Sequence, residues 1–101
     1  MNEQERRRYE LVYIIQPDLD EAGITAINER VVQLVNSQNG EVVKTEVWGK
    51  RGLAYPIGKF FDGYFMCHQM SMPPEIIGSI EQNLRYNEDV IRFLTMKVED
   101  E

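Results

Sequence analysis

Twice within 101 residues the apolar spacing passes from a period of two to a helical period and back. This alternation constrains the fold more than any single motif. Period two places side chains on the two faces of a strand, whereas i, i+3, i+4, i+7 spacing lines one face of a helix. Tyr9 to Ile15 is rich in aromatic and β-branched residues and reads as a strand that ends at Pro17. Tyr9, Leu11, Tyr13 and Ile15 share one face, and Glu10, Val12 and Ile14 the other. Asp18-Leu-Asp-Glu then offers helix-start chemistry. Asp18 with Glu21 has capping-box spacing, and Asp20 is an equally suitable cap. Ile24, Ile27, Val31, Leu34 and Val35 follow at helical spacing, with Asn28, Glu29, Gln33 and Asn36 outward. Asn39-Gly40 supplies the left-handed residue that closes such a helix.

The second half repeats the scheme. Val42 to Trp48 reads as a strand, continued through a bend at Gly49 or Gly52 into Leu53–Ile57. Pro56 cannot donate to a ladder, so this stretch belongs at a sheet edge. Phe61-Asp62-Gly63 is a turn signal, and Tyr64 to Met70 a third strand. Pro73-Pro74 opens a second helix, whose stripe is Ile76, Ile77, Ile80 and Leu84 and whose stop is Asn87. Val90 to Val98 is the fourth strand. The order βαββαβ is that of a ferredoxin-like, split β-α-β sandwich of the α+β class. It predicts a four-stranded antiparallel sheet with two helices on one face. The other face is open. If Leu11, Tyr13 and Ile15 face the helices, the open side carries Val12, Ile14, Phe65, Cys67, Arg92, Leu94 and Met96. An apolar patch rimmed by charge fits a partner surface. A register different by one residue would exchange the two faces.

Charge narrows the function. The formal net charge is −6, from 17 acids and 11 bases. Taken alone, that argues against a free-standing nucleic-acid binder. Glu3, Glu5, Glu99, Asp100 and Glu101 are five of the acids, so the body holds 12 acids against 11 bases. The expectation is a single domain over 1–101 with short acidic tails at 1–5 and 98–101. No apolar run is long enough for a transmembrane helix or a signal peptide, and the lone Cys67 can form no internal disulfide. A cytoplasmic protein is expected.

Catalytic chemistry is poorly supported. The single histidine, His68, reads as sheet-packed, and Cys67 beside it points to the opposite face, so the two form no dyad. One His and one Cys are too few for a zinc site, and no phosphate-binding glycine motif is present. No metal, cofactor or small-molecule substrate is expected. The bases are more informative. Arg6, Arg7 and Arg8 precede the first strand, Lys50 and Arg51 follow the second, and Arg92 lies on the fourth. Arginine forks suit phosphate. Adjacent first and fourth strands would bring Arg7, Arg8 and Arg92 near one another. Base stacking of the RNA-recognition-motif kind is disfavoured, because Tyr64 and Phe65 are neighbours on a strand and face apart.

Specific segments carry a resemblance. Arg7-Arg-Tyr-Glu leads into an apolar strand ending at Gln16-Pro17. Gly49-Lys-Arg-Gly-Leu-Ala-Tyr-Pro-Ile57, Gly63-Tyr-Phe, Met72-Pro73, Leu84-Arg85 and Val90-Ile-Arg92 follow in order. From about Arg7 to Val98 the chain resembles the bacterial small-subunit ribosomal protein six family. It departs at Gly52, where the family usually has a polar or charged residue. It departs also at Gly58, where a small polar or basic residue or alanine is common.

The resemblance implies a non-enzymatic structural component of the small ribosomal subunit. It implies binding to 16S ribosomal RNA in the central domain, as a heterodimer with small-subunit protein eighteen. A basic partner would supply the phosphate attraction that an acidic chain lacks. The residues implied for RNA are Arg7, Arg8, Tyr9, Arg92, Lys50 and Arg51. Those for the protein interface are Trp48, Tyr55 and Phe65. The competing reading of the same fold is a small-molecule-binding or regulatory domain that self-associates.

Overall fold

The computed structural model describes residues 6–98. The expected acidic tails therefore lie outside the described residues, apart from Val98. Four strands and two helices alternate as β1 (Arg7–Ile15), α1 (Glu21–Ser37), β2 (Glu41–Ile57), β3 (Phe60–Met72), α2 (Ile77–Tyr86) and β4 (Val90–Lys97). A single 3₁₀ turn, Pro74–Ile76, leads into α2. The sheet order is β2-β3-β1-β4, with every pairing antiparallel. This is the ferredoxin-like arrangement.

The expected faces hold. Tyr9, Leu11, Tyr13 and Ile15 point under the helices and meet Ile27, Val31 and Val35 of α1 and Ile80 and Leu84 of α2. On β3 the same layer takes Met66, Met70 and Met72, with Tyr64 packed at its margin. Asp20 is the cap of α1: its carboxylate accepts the Gly23 amide at 2.9 Å. At the other end, Asn39 takes the left-handed conformation at φ 70°.

One turn is displaced from its expected position. Phe61-Asp62-Gly63 is strand, because Asp62 and Gly63 pair with Gly52 and Arg51. The chain reverses instead at Gly58-Lys59, where Gly58 has φ +59°. Gly58 thus supplies a backbone conformation that few other residues adopt. Gly63 serves packing: a Cβ there would collide with Cγ2 of Ile14. The bend in β2 is at Gly49 (φ +84°), where the register against β3 shifts between Val47 and Gly49.

Candidate functional site

The open face of the sheet gathers most of the candidate residues. Its rows follow from the register: Arg8 lies opposite Ser71, Val12 between Cys67 and Leu94, and Ile14 between Phe65 and Arg92. Leu94 and Met96 are 57% and 39% exposed, which no helix relieves. Ile14 by contrast is buried, seated over Gly63.

An ordered aromatic group stands at the β2 side of this face. The indole of Trp48 stacks on Phe65 with ring centroids 6.4 Å apart and planes 19° apart. Its Nε1–H donates to Oε1 of Glu46 at 3.1 Å, and the Arg51 guanidinium lies 5.5 Å from the ring centroid. Glu46 also pairs with Lys44 at 3.2 Å. The Trp48 hydrogen bond first, and Lys44 second, hold the Glu46 carboxyl below the usual carboxylate range. One row further in, the Cys67 thiol donates to Oε2 of Glu10 at 3.5 Å. Burial, then the Glu10 carboxylate, push that thiol up to about 11, so it stays protonated and unreactive.

Beyond Phe65 the face deepens into a groove of about 270 Å³, lined by Ile14, Leu53, Tyr55, Ile57, Phe65 and Arg92. Here β2 bulges. Gly52 pairs with Asp62 and Ile57 with Phe60, so four residues of β2 oppose the single Phe61. The bulge carries Tyr55, 67% exposed, over the groove.

Two expectations about these residues are corrected. Arg7, Arg8 and Arg92 do not converge. Arg92 lies opposite Ile14, six positions along β1 from Arg8, which is roughly 20 Å of strand. Strand alternation also parts Arg7 from Arg8: Arg8 is exposed on the open face, and Arg7 is half-buried on the helix side. Tyr9 is 6% exposed within the core, so its ring packs the fold and is closed to RNA. Lys50 and Arg51 likewise point apart, opposite Tyr64 and Gly63 respectively. Trp48, Tyr55, Phe65, Arg51 and Arg92 do share one surface.

Sequence reasoning missed the role of Glu10 and Glu46. Their spacing to Cys67 and Trp48 is a cross-strand relation, which only the register reveals. It also left open what satisfies His68. That ring is fully buried, with the Tyr13 hydroxyl 3.0 Å from Nε2 and the Thr45 hydroxyl 2.9 Å from Nδ1. Burial lowers its pKa to about 4, so it is neutral and structural.

Among the described residues no group of three or more His, Cys, Asp or Glu could hold a metal ion. No helix among them is long and apolar enough to cross a membrane. A cleft of about 580 Å³ on the helix side is lined by residues of α1, α2 and the turn before β4, including Arg30, Asn83 and Tyr86. It contains no nucleophile paired with a base.

Comparison with known proteins agrees along nearly the whole chain. The family model described as Ribosomal protein S6 matches residues 8–97. The small ribosomal subunit protein bS6 of Moorella thermoacetica is 36% identical over 95 residues, covering 94% of this chain and 97% of that protein. The bS6 of Clostridioides difficile is 40% identical over 88 residues, covering 87% and 95%. The crystal structure of 30S ribosomal protein S6 from Thermotoga maritima superposes with a TM-score of 0.89 at 27% identity, covering 93% of this chain and 89% of that one. With the same βαββαβ fold and matches spanning β1 to β4, this chain belongs to the ribosomal protein S6 family.

Proposed function

We propose that this protein, a non-enzymatic structural constituent of the small ribosomal subunit, binds 16S ribosomal RNA in the central domain as a heterodimer with small-subunit protein eighteen. It works in the cytoplasm, on the ribosome. The observation that carries the reading is the open sheet face. It is apolar at Leu94, Met96 and Phe65, acidic at Glu10 and Glu46, and holds an ordered Trp48. Such a face suits a basic protein with apolar anchors. The chain has a net charge of −6, so the partner brings the phosphate attraction that this chain lacks. Trp48, Tyr55 and Phe65 form the protein side.

Arg8 and Arg92 are the phosphate ligands at opposite ends of the face, with Arg7, Lys50 and Arg51 supporting them at the sheet ends. Because Arg8 and Arg92 are about 20 Å apart, they act as separate contacts whose losses add.

Filter binding to a central-domain RNA fragment, with protein eighteen present, tests this. Arg8→Ala and Arg92→Ala should each weaken binding about 5- to 10-fold and lower the log–log salt slope by about one. The double variant should show the product of the two losses. Full affinity in the double variant would sink the site assignment. Failure of the wild-type chain to sediment with small subunits in a sucrose gradient would sink the function.

A further inference from the structure

The β2–β3 hairpin runs past the rest of the sheet. Pairing of β3 with β1 starts at Tyr64, so Phe60 to Gly63 ladder with β2 alone. The molecule measures 50 Å along its long axis against 28 and 20 Å across. A two-stranded ribbon has no layer beneath it to bury side chains. Its aromatic rings accordingly stand in water: Phe61 is 73% exposed and Tyr55 67%. Rings held on a projecting arm contribute little to the core, which leaves recognition as their use.

The charge of the arm picks out the partner. Residues 49–63 contain Lys50, Arg51 and Lys59 against the single Asp62, within a chain of net charge −6. The turn at Gly58 places Lys59 directly before the two phenylalanines, and its Nζ lies 5.6 Å from the Phe60 ring centroid. Alternation along β3 puts Phe61 on the side of Gly63 and its cross-strand neighbour Arg51. It puts Phe60 on the side of Asp62 and Tyr64, the latter opposite Lys50. Each side of the arm therefore offers an aromatic ring and a cation. Unpaired nucleotides take that combination, since every base has a face to stack and every linkage a phosphate to neutralise. A protein seated here would have to bring an acidic patch to meet these cations, whereas the protein partner proposed above is basic.

We infer that the arm is an RNA contact separate from Arg8 and Arg92. Phe61 stacks an unpaired base, and Lys59 at the turn neutralises a flanking phosphate. This rests on the rRNA-binding reading above and extends it to a second site.

The same filter-binding assay, with protein eighteen present, tests it. Phe61→Ala should weaken binding about ten-fold. Phe61→Tyr should keep wild-type affinity, whereas Phe61→Leu, equally apolar but without a flat face, should not. Lys59→Gln should lower the salt slope by about one. These side chains are exposed, so Tm should not move. RNA carrying 4-thiouridine in place of uridine should crosslink to the peptide spanning 58–63. Wild-type affinity in the Phe61→Ala/Lys59→Gln variant, with no crosslink, overturns the inference while leaving the functional reading intact. Failure of the wild-type mixture to bind RNA overturns both. If the variants change only self-association in sedimentation equilibrium, the arm is a protein contact and the inference falls.

Discussion

Lowering the pH from 7 to 4 is expected to remove roughly 3 kcal/mol of folding stability through His68 alone. The ring is fully buried between two hydroxyls, Tyr13 at 3.0 Å and Thr45 at 2.9 Å. Neutral imidazole satisfies both, since one nitrogen donates and the other accepts. Imidazolium would be a charge taken out of water with no carboxylate among its hydrogen-bond partners. Burial therefore lowers its pKa from the ordinary 6.5 to about 4. Between those values the unfolded chain binds a proton that the native chain refuses. Stability from this group is complete above 6.5, falls as the pH drops toward 4, and is flat below.

Urea midpoints for wild type and His68→Leu isolate the effect, because the two chains differ only at this group. The wild-type loss between pH 7 and 4 should exceed the variant's by that amount. Parallel profiles would show that the histidine is not the titrating group. His68→Leu alone leaves the Tyr13 hydroxyl buried without its partner, at a cost of about 1–3 kcal/mol at pH 7. Tyr13→Phe in the same chain should return part of it, since removing both partners spares the desolvation of either.

The alternation of periods in the sequence made the core legible. Tyr9, Leu11, Tyr13 and Ile15 are the buried row of β1, and Ile27, Val31 and Val35 the buried stripe of α1, as their spacing predicts. Local chemistry was less decisive where two positions offered it. Asp18 and Asp20 are both good caps, and the packing of Leu19 near Gly23 accompanies the choice of Asp20. The hairpin turn was misplaced because Asp62-Gly63 has turn composition, while the real use of Gly63 is to leave room for Ile14 from another strand. That constraint is non-local and leaves no trace within a few residues. The site shows the same division. Faces could be read by counting in twos, so Phe65 was placed correctly on the open side. Distances along the sheet could not. Adjacency of β1 and β4 was right, but their antiparallel register sets Arg92 against Ile14, at the far end from Arg8. Gly58, which departs from the family pattern, is explained by its φ of +59° at the turn. Nothing in the structure explains Gly52.

Trp48→Ala is expected to weaken the proposed heterodimer with protein eighteen by at least about 2 kcal/mol, roughly 30-fold. The indole is held before any partner arrives. Phe65 supports one side of it, Glu46 accepts its N–H at 3.1 Å, and Arg51 lies 5.5 Å from its centre. A ring already fixed in place loses little rotamer freedom on binding, so its contact area converts to affinity more fully than that of a mobile side chain. The neighbours position the ring without supplying its surface. Glu46→Gln keeps an acceptor for the indole and Arg51→Ala keeps the stack, so each should cost no more than about three-fold. Fold stability should change by only about 1 kcal/mol in Trp48→Ala, because the residue lies outside the core beneath the helices. Titration calorimetry with isolated protein eighteen separates these outcomes. A Trp48→Ala affinity within three-fold of wild type would move the interface away from the β2 side. The exposed Leu94 and Met96 margin, probed by Leu94→Asp, would then be the alternative seat.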